Sequence, residues 1–509
     1  NVKGVEGIGE KGARDLVEQY GSLDEIVAHR GELKRKAHRE GLASALDRLP
    51  LVKRLVTVVT DLELPIGLDQ LVYPGVDQAQ AREAFKKLGF EGLTKEFTAA
   101  STAAEASASR AYRAAASVRD LEEAVRACRQ AGYFGLDTET TSLDPTRGHL
   151  VGLSLAWKPN DGLYVPLAHL QPSGASPEGA LPGLFEDSGL PETLLDLKGD
   201  PGNFFASLAP YLDPRNIAFS EARRVLGPLF ADATVKKAGQ NLKYDMQVLK
   251  RHGLEVRGLA DDSMVLSFLL ESRLRHNLDD LSARHLDIKP ITFEEVVGKG
   301  KTQKRFDEAV FETAVQYAAE DADLALQLCR KLKPMLADSK LKTLYAEVDL
   351  PLVEVLADLE LAGVRVDVEA LEAIAKDFRA KRDAAEKRVL ELAEEAFNLN
   401  SPAQLGKILY DKLGLPVIKR TDKTKVPATD EEVLSELAKR KDGEIAARLL
   451  VHRQMQKLLG TYVEALPLMV NPVTGRLHTR LHQAAVATGR LASSEPNLQN
   501  IPVRTEEGR

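Results

Sequence analysis

Four carboxylates carry the clearest chemical potential in this chain: Asp137 and Glu139 in YFGLDTET, Asp245 in QNLKYD and Asp321 in YAAEDA. Apolar residues before Asp137 predict a buried strand, whose period of two places Asp137 and Glu139 on one face. Carboxylates crowded together repel and resist ionisation unless a cation neutralises them, and Mg²⁺ prefers such hard oxygen ligands. A metal site is the simplest chemistry for the pair. In the second run Asn241 precedes the amphipathic stretch MQVLKRHG. It is therefore expected to cap a helix that carries Asp245 one turn in, with Asn241 and Asp245 on a shared face. In the third run an Ala-rich helical pattern brings the Tyr317 hydroxyl beside Asp321, four residues on, where it can orient a water. Each run alone reads as an ordinary strand end, cap or first-turn acid; their order along one segment links them.

The elements that must position these residues follow from periodicity. Short β-rich runs, YFGLDTET, LVGLSLAW and GLYVPLAH, give way to helical patterning from about Asn241, which predicts a mixed α/β domain. Before it, Phe97 to Ser117 is dominated by Ala and Ser and reads as a linker. Earlier still, the helical patterns ARDLVEQY and LVKRLVTVV follow Gly-rich turns, as in a small helical domain. From Leu336 to about Leu468 the pattern is helical, and LEAIAKDFRAKRDAAEKRVLELAEEAF suits a coiled-coil-like pair of helices. From Asn471 to Arg509 Pro, Gly and Asn return.

A length of 509 residues predicts roughly three or four domains. With 44% hydrophobic and 28% charged residues and no apolar run near the ~20 that span a bilayer, a membrane protein is not expected. Cys128 and Cys329 are far apart, without disulfide-framework or zinc-ligand spacing, which fits a reducing cytoplasm. The net charge of −7 does not exclude nucleic acid, because the local field matters. Basic clusters stand at Lys34, Arg35, Lys36 and Arg39, at Lys299, Lys301, Lys304 and Arg305, and at Lys419, Arg420, Lys423 and Lys425. Asn1 opens directly inside patterned sequence and nothing terminates the pattern at Arg509, so both ends read as cut.

Together, DTETTSLD, NLKYD and YAAEDA resemble the three motifs of the DnaQ-like 3′→5′ exonucleases, in the version with tyrosine in the third motif that occurs in family A DNA polymerases. The resemblance implies an RNase H-like α/β fold and two divalent ions, Mg²⁺ or alternatively Mn²⁺ or Zn²⁺. Asp137, Glu139 and Asp321 would bind the first ion, Asp137 would bridge to the second, and Asp245 would hold the second through its water shell. Tyr317 and Glu139 would position the attacking water. By the same resemblance Leu143 and Phe293 wedge and stack terminal bases, while Gln240, Asn241 and Tyr244 lie near the scissile nucleotide. Stacking tolerates any base, at ~1–3 kcal/mol each.

The flanks extend the likeness. The run VEGIGEKGA, with Gly7, Gly9 and Lys11, resembles the helix-hairpin-helix of the 5′ nuclease domain that precedes the exonuclease in bacterial family A polymerases, where backbone N–H groups approach phosphate. LADLELAGVRVD, NLNSPAQLGKIL and the basic loop from Lys419 to Lys425 resemble the polymerase thumb. Thr488-Gly489-Arg490 followed by PNLQNIP resembles the palm segment that meets the primer-template minor groove, with Arg490, Asn497 and Gln499 as donors to purine N3 and pyrimidine O2.

The expected organisation is a multidomain α/β plus α chain. It comprises residues 1–95 as the end of a 5′ nuclease domain, 96–118 as linker, 119–335 as the exonuclease, and 336–509 as the helical thumb with the start of the palm. The family's 5′ nuclease acids lie upstream of this run, and its palm aspartates and basic fingers helix lie beyond Arg509, so neither 5′ nuclease nor polymerase activity is expected from this stretch. The expected partners are single-stranded 3′ ends and primer-template duplex DNA, met by a monomer in the cytoplasm, associated with the nucleoid, in replication and repair. The alternatives are a DNA-binding fragment whose exonuclease fold no longer cuts and an RNA-trimming exonuclease of the same fold.

Overall fold

The computed structural model describes residues 4–62, 75–97, 110–171, 205, 208–337, 340–422, 424–503 and 507–508. The chain forms two compact units, Asn1–Val76 and Asp77–Arg509. In the first, helices α1 (Glu10–Tyr20), α2 (Leu23–Ala28), α3 (Lys36–Ala45) and α4 (Leu49–Val56) close over Leu16, Ile26, Leu33, Leu42, Ala45 and Leu49. The glycine turn before α1 lies on α3. A Cβ on Gly41 would stand 2.0 Å from the Glu6 carbonyl, and Gly7 adopts a φ of +82° that only glycine takes without strain.

The second unit opens with α5 (Gln78–Leu88). Its central sheet has six strands, β1 (Ala111–Ala114), β2 (Tyr133–Thr140), β3 (Leu150–Lys158), β4 (Asp161–Pro166), β5 (Lys236–Gly239) and β6 (Leu259–Asp262), in the order β1-β4-β3-β2-β5-β6. The β2-β3-β4 meander is antiparallel, and β1, β5 and β6 join it in parallel. Helices α6 (Val118–Ala131) and α7 (Phe219–Phe230) cover one face, where Leu121, Cys128, Leu226 and Phe230 bury Phe134, Leu136, Leu153 and Leu155. Along the strand the alternate residues Gly135, Asp137 and Glu139 therefore face the other side.

Helix α8 (Leu242–Arg251) joins the first face through Leu242, Val248 and Leu249, whereas α9 (Ser263–Leu270) and the 27-residue α10 (Phe311–Ala337) lie on the other side. Helix α10 lies almost backbone to backbone on the sheet. A Cβ on Gly135 would come within 2.3 Å of the Ala322 carbonyl, and one on Gly162 within 2.8 Å of the Ala319 carbonyl. Small residues on both surfaces permit that approach, since Ala314, Ala318, Ala319, Ala322 and Ala325 are all buried.

Two expected boundaries move. Ala111–Ala114, inside the expected linker, is a sheet strand. The reason is its few large side chains: the Tyr112 hydroxyl donates to Asp323 (2.7 Å) and Arg110 pairs with buried Glu320. Residues 98–109 of that linker lie outside the described residues. Residues 77–95, expected with the first domain, belong to the second unit, where Arg82 and Lys86 of α5 both pair with Asp287.

The helical region contains α11 (Leu350–Ala362), α12 (Val368–Ala393), α13 (Glu431–Ala438) and α14 (Glu444–Leu458), followed by the two-stranded hairpin β7 (Arg480–His482) and β8 (Ala492–Ser494). Helices α12 and α14 form the expected pair, and it is antiparallel. Arg388 meets Glu444, Arg382 meets Gln456 and Arg379 meets Glu464, so one number rises as the other falls. Among the described residues no helix is long and apolar enough to cross a membrane.

Candidate active site

Strand β2 pairs Asp137 with Ser154 and Glu139 with Gly152 across β3, putting both acids under α10. The glycine contact at Gly135 pulls the helix down at Ala322, so its neighbour Asp321 arrives above the strand. Carboxylate oxygens of Asp137, Glu139 and Asp321 lie within 4.8 Å of one another. Asp245 approaches on α8 and is held by Thr138, whose hydroxyl donates to it at 2.7 Å. Thr138 sits between the two strand acids and points to the opposite face, so one strand orients both sides of the cluster.

Burial is the largest cause that pushes all four carboxyls well above their ordinary range. For Asp137 the neighbouring Asp321 adds to it; for Glu139, Asp137 followed by Asp321 and Asp245; for Asp245, Asp137, opposed by the Thr138 hydrogen bond. The Tyr317 hydroxyl pulls Asp321 the other way, and burial together with Asp321 raises the phenol of Tyr317 itself. Most other buried acids of this unit have cations: Asp161 has Arg113, Asp213 has Arg215, Asp261 has Lys333, Asp307 has Arg305, Glu320 has Arg110 and Glu360 has Lys243. Asp262 and Asp323 stand apart and accept from neutral donors, the Leu242 and Met264 N–H groups for the first, the Tyr112 hydroxyl and Asn160 N–H for the second. Among the described residues no lysine or arginine pairs with Asp137, Glu139, Asp245 or Asp321. Buried charge without a counter-charge is costly. An all-oxygen donor set lacking positive charge fits a hard divalent cation.

Three family models match successive parts of the chain. The model described as 5'-3' exonuclease, C-terminal SAM fold, matches residues 1–79; 3'-5' exonuclease matches 112–218 and 211–337; DNA polymerase family A matches 368–509. DNA polymerase I of Pseudomonas aeruginosa is 37% identical across 100% of the chain and 53% of its own length. The chain belongs to DNA polymerase family A. The family's DNA polymerase I of Rhizobium leguminosarum is 33% identical, with 55% of its length covered, and that of Geobacillus stearothermophilus 31%, with 51% covered. The chain thus spans about half the length of these curated relatives. A family member of known structure, described as the POL domain of Pol1 from M. smegmatis in complex with DNA primer-template and dNTP, aligns with a TM-score of 0.59 at 26% identity, covering 78% of this chain and 57% of that one. The acidic cluster falls wholly inside the 3'-5' exonuclease match.

Around the cluster, the Tyr244 hydroxyl donates to the Ser142 carbonyl (2.6 Å) and meets Thr140, fixing the loop from which Leu143 projects, 79% exposed. Phe293 is 39% exposed and packs edge-on against Tyr317, ring centroids 6.2 Å apart. The Ile291 N–H donates to Glu320 (2.7 Å), which ties the Phe293 loop to the residue beside Asp321. Asn241 departs from expectation. It occupies the N-cap position in left-handed conformation, φ 55°, and its side chain makes no cap. Asp262 caps instead, accepting from Leu242 N–H at 2.8 Å, because the left-handed backbone turns the Asn241 amide away from the helix end. Gln240 is engaged internally, donating to the His276 carbonyl (2.7 Å) and accepting from Ser263.

The remaining expected contacts lie elsewhere. Gly7, Gly9 and Lys11 are exposed in the first unit. Arg490 is exposed after the left-handed Gly489, whereas Asn497 accepts from Gln499 N–H (3.0 Å) and Gln499 donates to the Leu491 carbonyl (2.8 Å), both holding their own loop. The basic clusters are partly neutralised: Lys36 pairs with Glu40, Lys299 with Glu294, Arg305 with Asp307, and Lys419 with Asp430 and Glu432. Lys423 lies outside the described residues. Sequence reasoning missed Thr138, Asp262, Gly135 and Gly152. Gly152 leaves room for the Tyr164 hydroxyl, which bonds His169 Nε2 at 2.7 Å beneath Glu139. Only Thr138 carried a signal, its place between the acids.

Proposed function

We propose that this segment of the family is a 3′→5′ exonuclease acting on single-stranded 3′ ends of DNA, with two divalent ions. The observation that carries the reading is a buried cluster of four carboxylates that has no cation, whereas most other buried acids of the unit are paired with one. Asp137, Glu139 and Asp321 would hold one ion, with Asp137 shared, and Asp245 would serve the second through water. Bound there, the ions would supply a lowered pKa for a water and neutralise charge on the departing 3′ oxygen. The residues of the chain do the rest. Glu139 and the Tyr317 hydroxyl orient the attacking water, the Thr138 bond holds Asp245 in place, and exposed Leu143 and Phe293 wedge and stack the terminal bases. Tyr244, Asn241 and Gln240 shape the wall beside the scissile nucleotide, Gln240 by supporting its neighbours.

The wider reading is a DNA polymerase of replication and repair, carrying a helix-hairpin-helix remnant within 1–76, the exonuclease over 110–335 with β1 as part of its sheet, and thumb with first palm segment from 336. Gly7, Gly9 and Lys11 would grip phosphates, and Arg490, Asn497 and Gln499 the minor groove. A cytoplasmic, nucleoid-associated monomer completes it. The test is release of mononucleotides from a 3′-labelled single strand with Mg²⁺ or Mn²⁺, expected from the wild type and abolished by Asp137→Ala with Glu139→Ala. Release that survives the double substitution overturns the assignment, and wild-type binding of DNA without release leaves a non-catalytic fold. A preference for RNA ends would point to RNA trimming.

A further inference from the structure

Helix α8 has two working sides. At ~100° per residue, Asn241 and Asp245 fall on one side and Lys243 and Gln247 on the other. The second side faces α11 and β7. There Lys243 Nζ pairs with Glu360 Oε1 and donates to the Leu481 carbonyl, while Gln247 Nε2 donates to Glu360 Oε2 at 2.7 Å. The Leu481 N–H also donates to Glu360 Oε1, at 2.6 Å. Glu360 is 4% exposed and Gln247 1%. One buried carboxylate therefore holds two donors from the helix that carries Asp245 and one from the β7–β8 hairpin. Residue 360 lies in the gap between the 3'-5' exonuclease match, which ends at 337, and the polymerase match, which begins at 368, whereas Leu481 lies within the latter.

We propose that Glu360 is a positioning residue for the candidate active site: it sets the rotation and axial position of α8, hence of Asp245, and makes that position depend on the β7–β8 hairpin. This rests on the exonuclease reading. Glu360 touches none of the four acids, so its effect passes only through the helix. Ligand constellations work within ~0.5 Å of their productive geometry, and loss of both tethers frees α8 to slide by that much. The ion served by Asp245 should be affected, whereas the ion held by Asp137, Glu139 and Asp321, none of them on α8, should not.

The experiment is Mn²⁺ binding to the full chain, followed by electron paramagnetic resonance of free Mn²⁺, with unfolding midpoints measured in parallel. Outer partners of metal ligands typically change affinity 10–100-fold, so a residue one contact further out should weaken the second Mn²⁺ by about 3–10-fold in Glu360→Ala, with the first unchanged. Glu360→Gln should recover most of it, since its amide can donate to Gln247 Oε1, a buried atom with no hydrogen-bond partner. Lys250→Ala removes the exposed Lys250–Asp358 pair that also joins α8 to α11 and should leave both affinities unchanged. If Glu360→Ala does not fold, Gln247→Met keeps the volume, removes one tether and should weaken the second ion about threefold. Equal loss at both sites, or a lowered midpoint with both affinities intact, overturns the positioning role and leaves ordinary packing. Wild-type protein without Mn²⁺ binding that depends on Asp137 overturns the site reading, and this proposal with it. Wild-type binding untouched by Glu360→Ala and by Gln247→Met overturns only the role of Glu360.

Discussion

Substituting Gly135 by Ala should separate the two halves of the acidic cluster without touching any acid. The new methyl would lie 2.3 Å from the Ala322 carbonyl and 3.0 Å from Leu326 Cβ. Strand β2 is hydrogen-bonded between β3 and β5 and cannot retreat, so α10 must. Contacts of a Cβ closer than 3.0 Å are essentially never seen, so the helix has to withdraw by about 0.7 Å at Ala322, and Asp321 withdraws with its neighbour. Overpacking of this kind costs about 1–3 kcal/mol of stability. Displacement by roughly 1 Å within a reacting constellation costs on the order of 10²-fold in rate. Gly162→Ala provides the graded comparison on the same helix. Its methyl would meet the Ala319 carbonyl at 2.8 Å, a retreat of only about 0.2 Å, so the rate should stay within about threefold and the stability loss below about 1 kcal/mol. The assay is release of mononucleotides from a 3′-labelled strand at saturating Mg²⁺, with thermal unfolding alongside. Gly135→Ala with wild-type rate, or Gly162→Ala with the larger defect, would refute the reasoning.

Other outcomes follow from the same geometry. The four carboxyls are raised in the native state, so it keeps protons that the unfolded chain has released, and stability falls as pH rises through their native values. Chelator-treated protein should therefore gain stability on acidification from neutral pH, and saturating Mg²⁺ should flatten that slope; urea midpoints across the range check it. Asp137→Ala with Glu139→Ala should be more stable than wild type without metal and gain nothing from Mg²⁺ in a thermal melt, whereas wild type should gain. Tyr317→Phe should slow release about 10–10²-fold with Mn²⁺ affinity unchanged, read from the two assays together. Arg110→Ala leaves Glu320 buried without its cation, side-chain exposures being 9% and 2% in the intact pair, and should cost about 3–5 kcal/mol by denaturant unfolding.

Much of the site was legible because its signals are local. A strand period of two put Asp137 and Glu139 on one face, and a helical spacing of four put Tyr317 beside Asp321, as the structure has them. The antiparallel pair α12 and α14 was similarly readable from heptad-like spacing. Local reading failed where distant residues supply the partner. Asn241 resembled a side-chain cap, yet Asp262, about twenty residues on, provides it. Ala and Ser content suggested a linker through 111–114, but Tyr112 and Arg110 find Asp323 and Glu320 on α10, roughly two hundred residues later, and a strand forms. Basic clusters suggested positive fields, whereas several of their charges are paired with neighbouring acids.

By itself the sequence determined which groups could do chemistry and which face of its own element each would occupy, because backbone periodicity operates over a few residues. Tertiary structure alone decided that these faces meet. Gly135 and the alanines of α10 allow helix and sheet to touch backbone to backbone, which brings Asp321 over Asp137. It also decided which buried acids stand without a cation, since pairing depends on what the fold carries to each carboxylate. The joint through Glu360 belongs to the same class: Lys243, Gln247 and Leu481 converge on one carboxylate only once three distant stretches of chain have packed together.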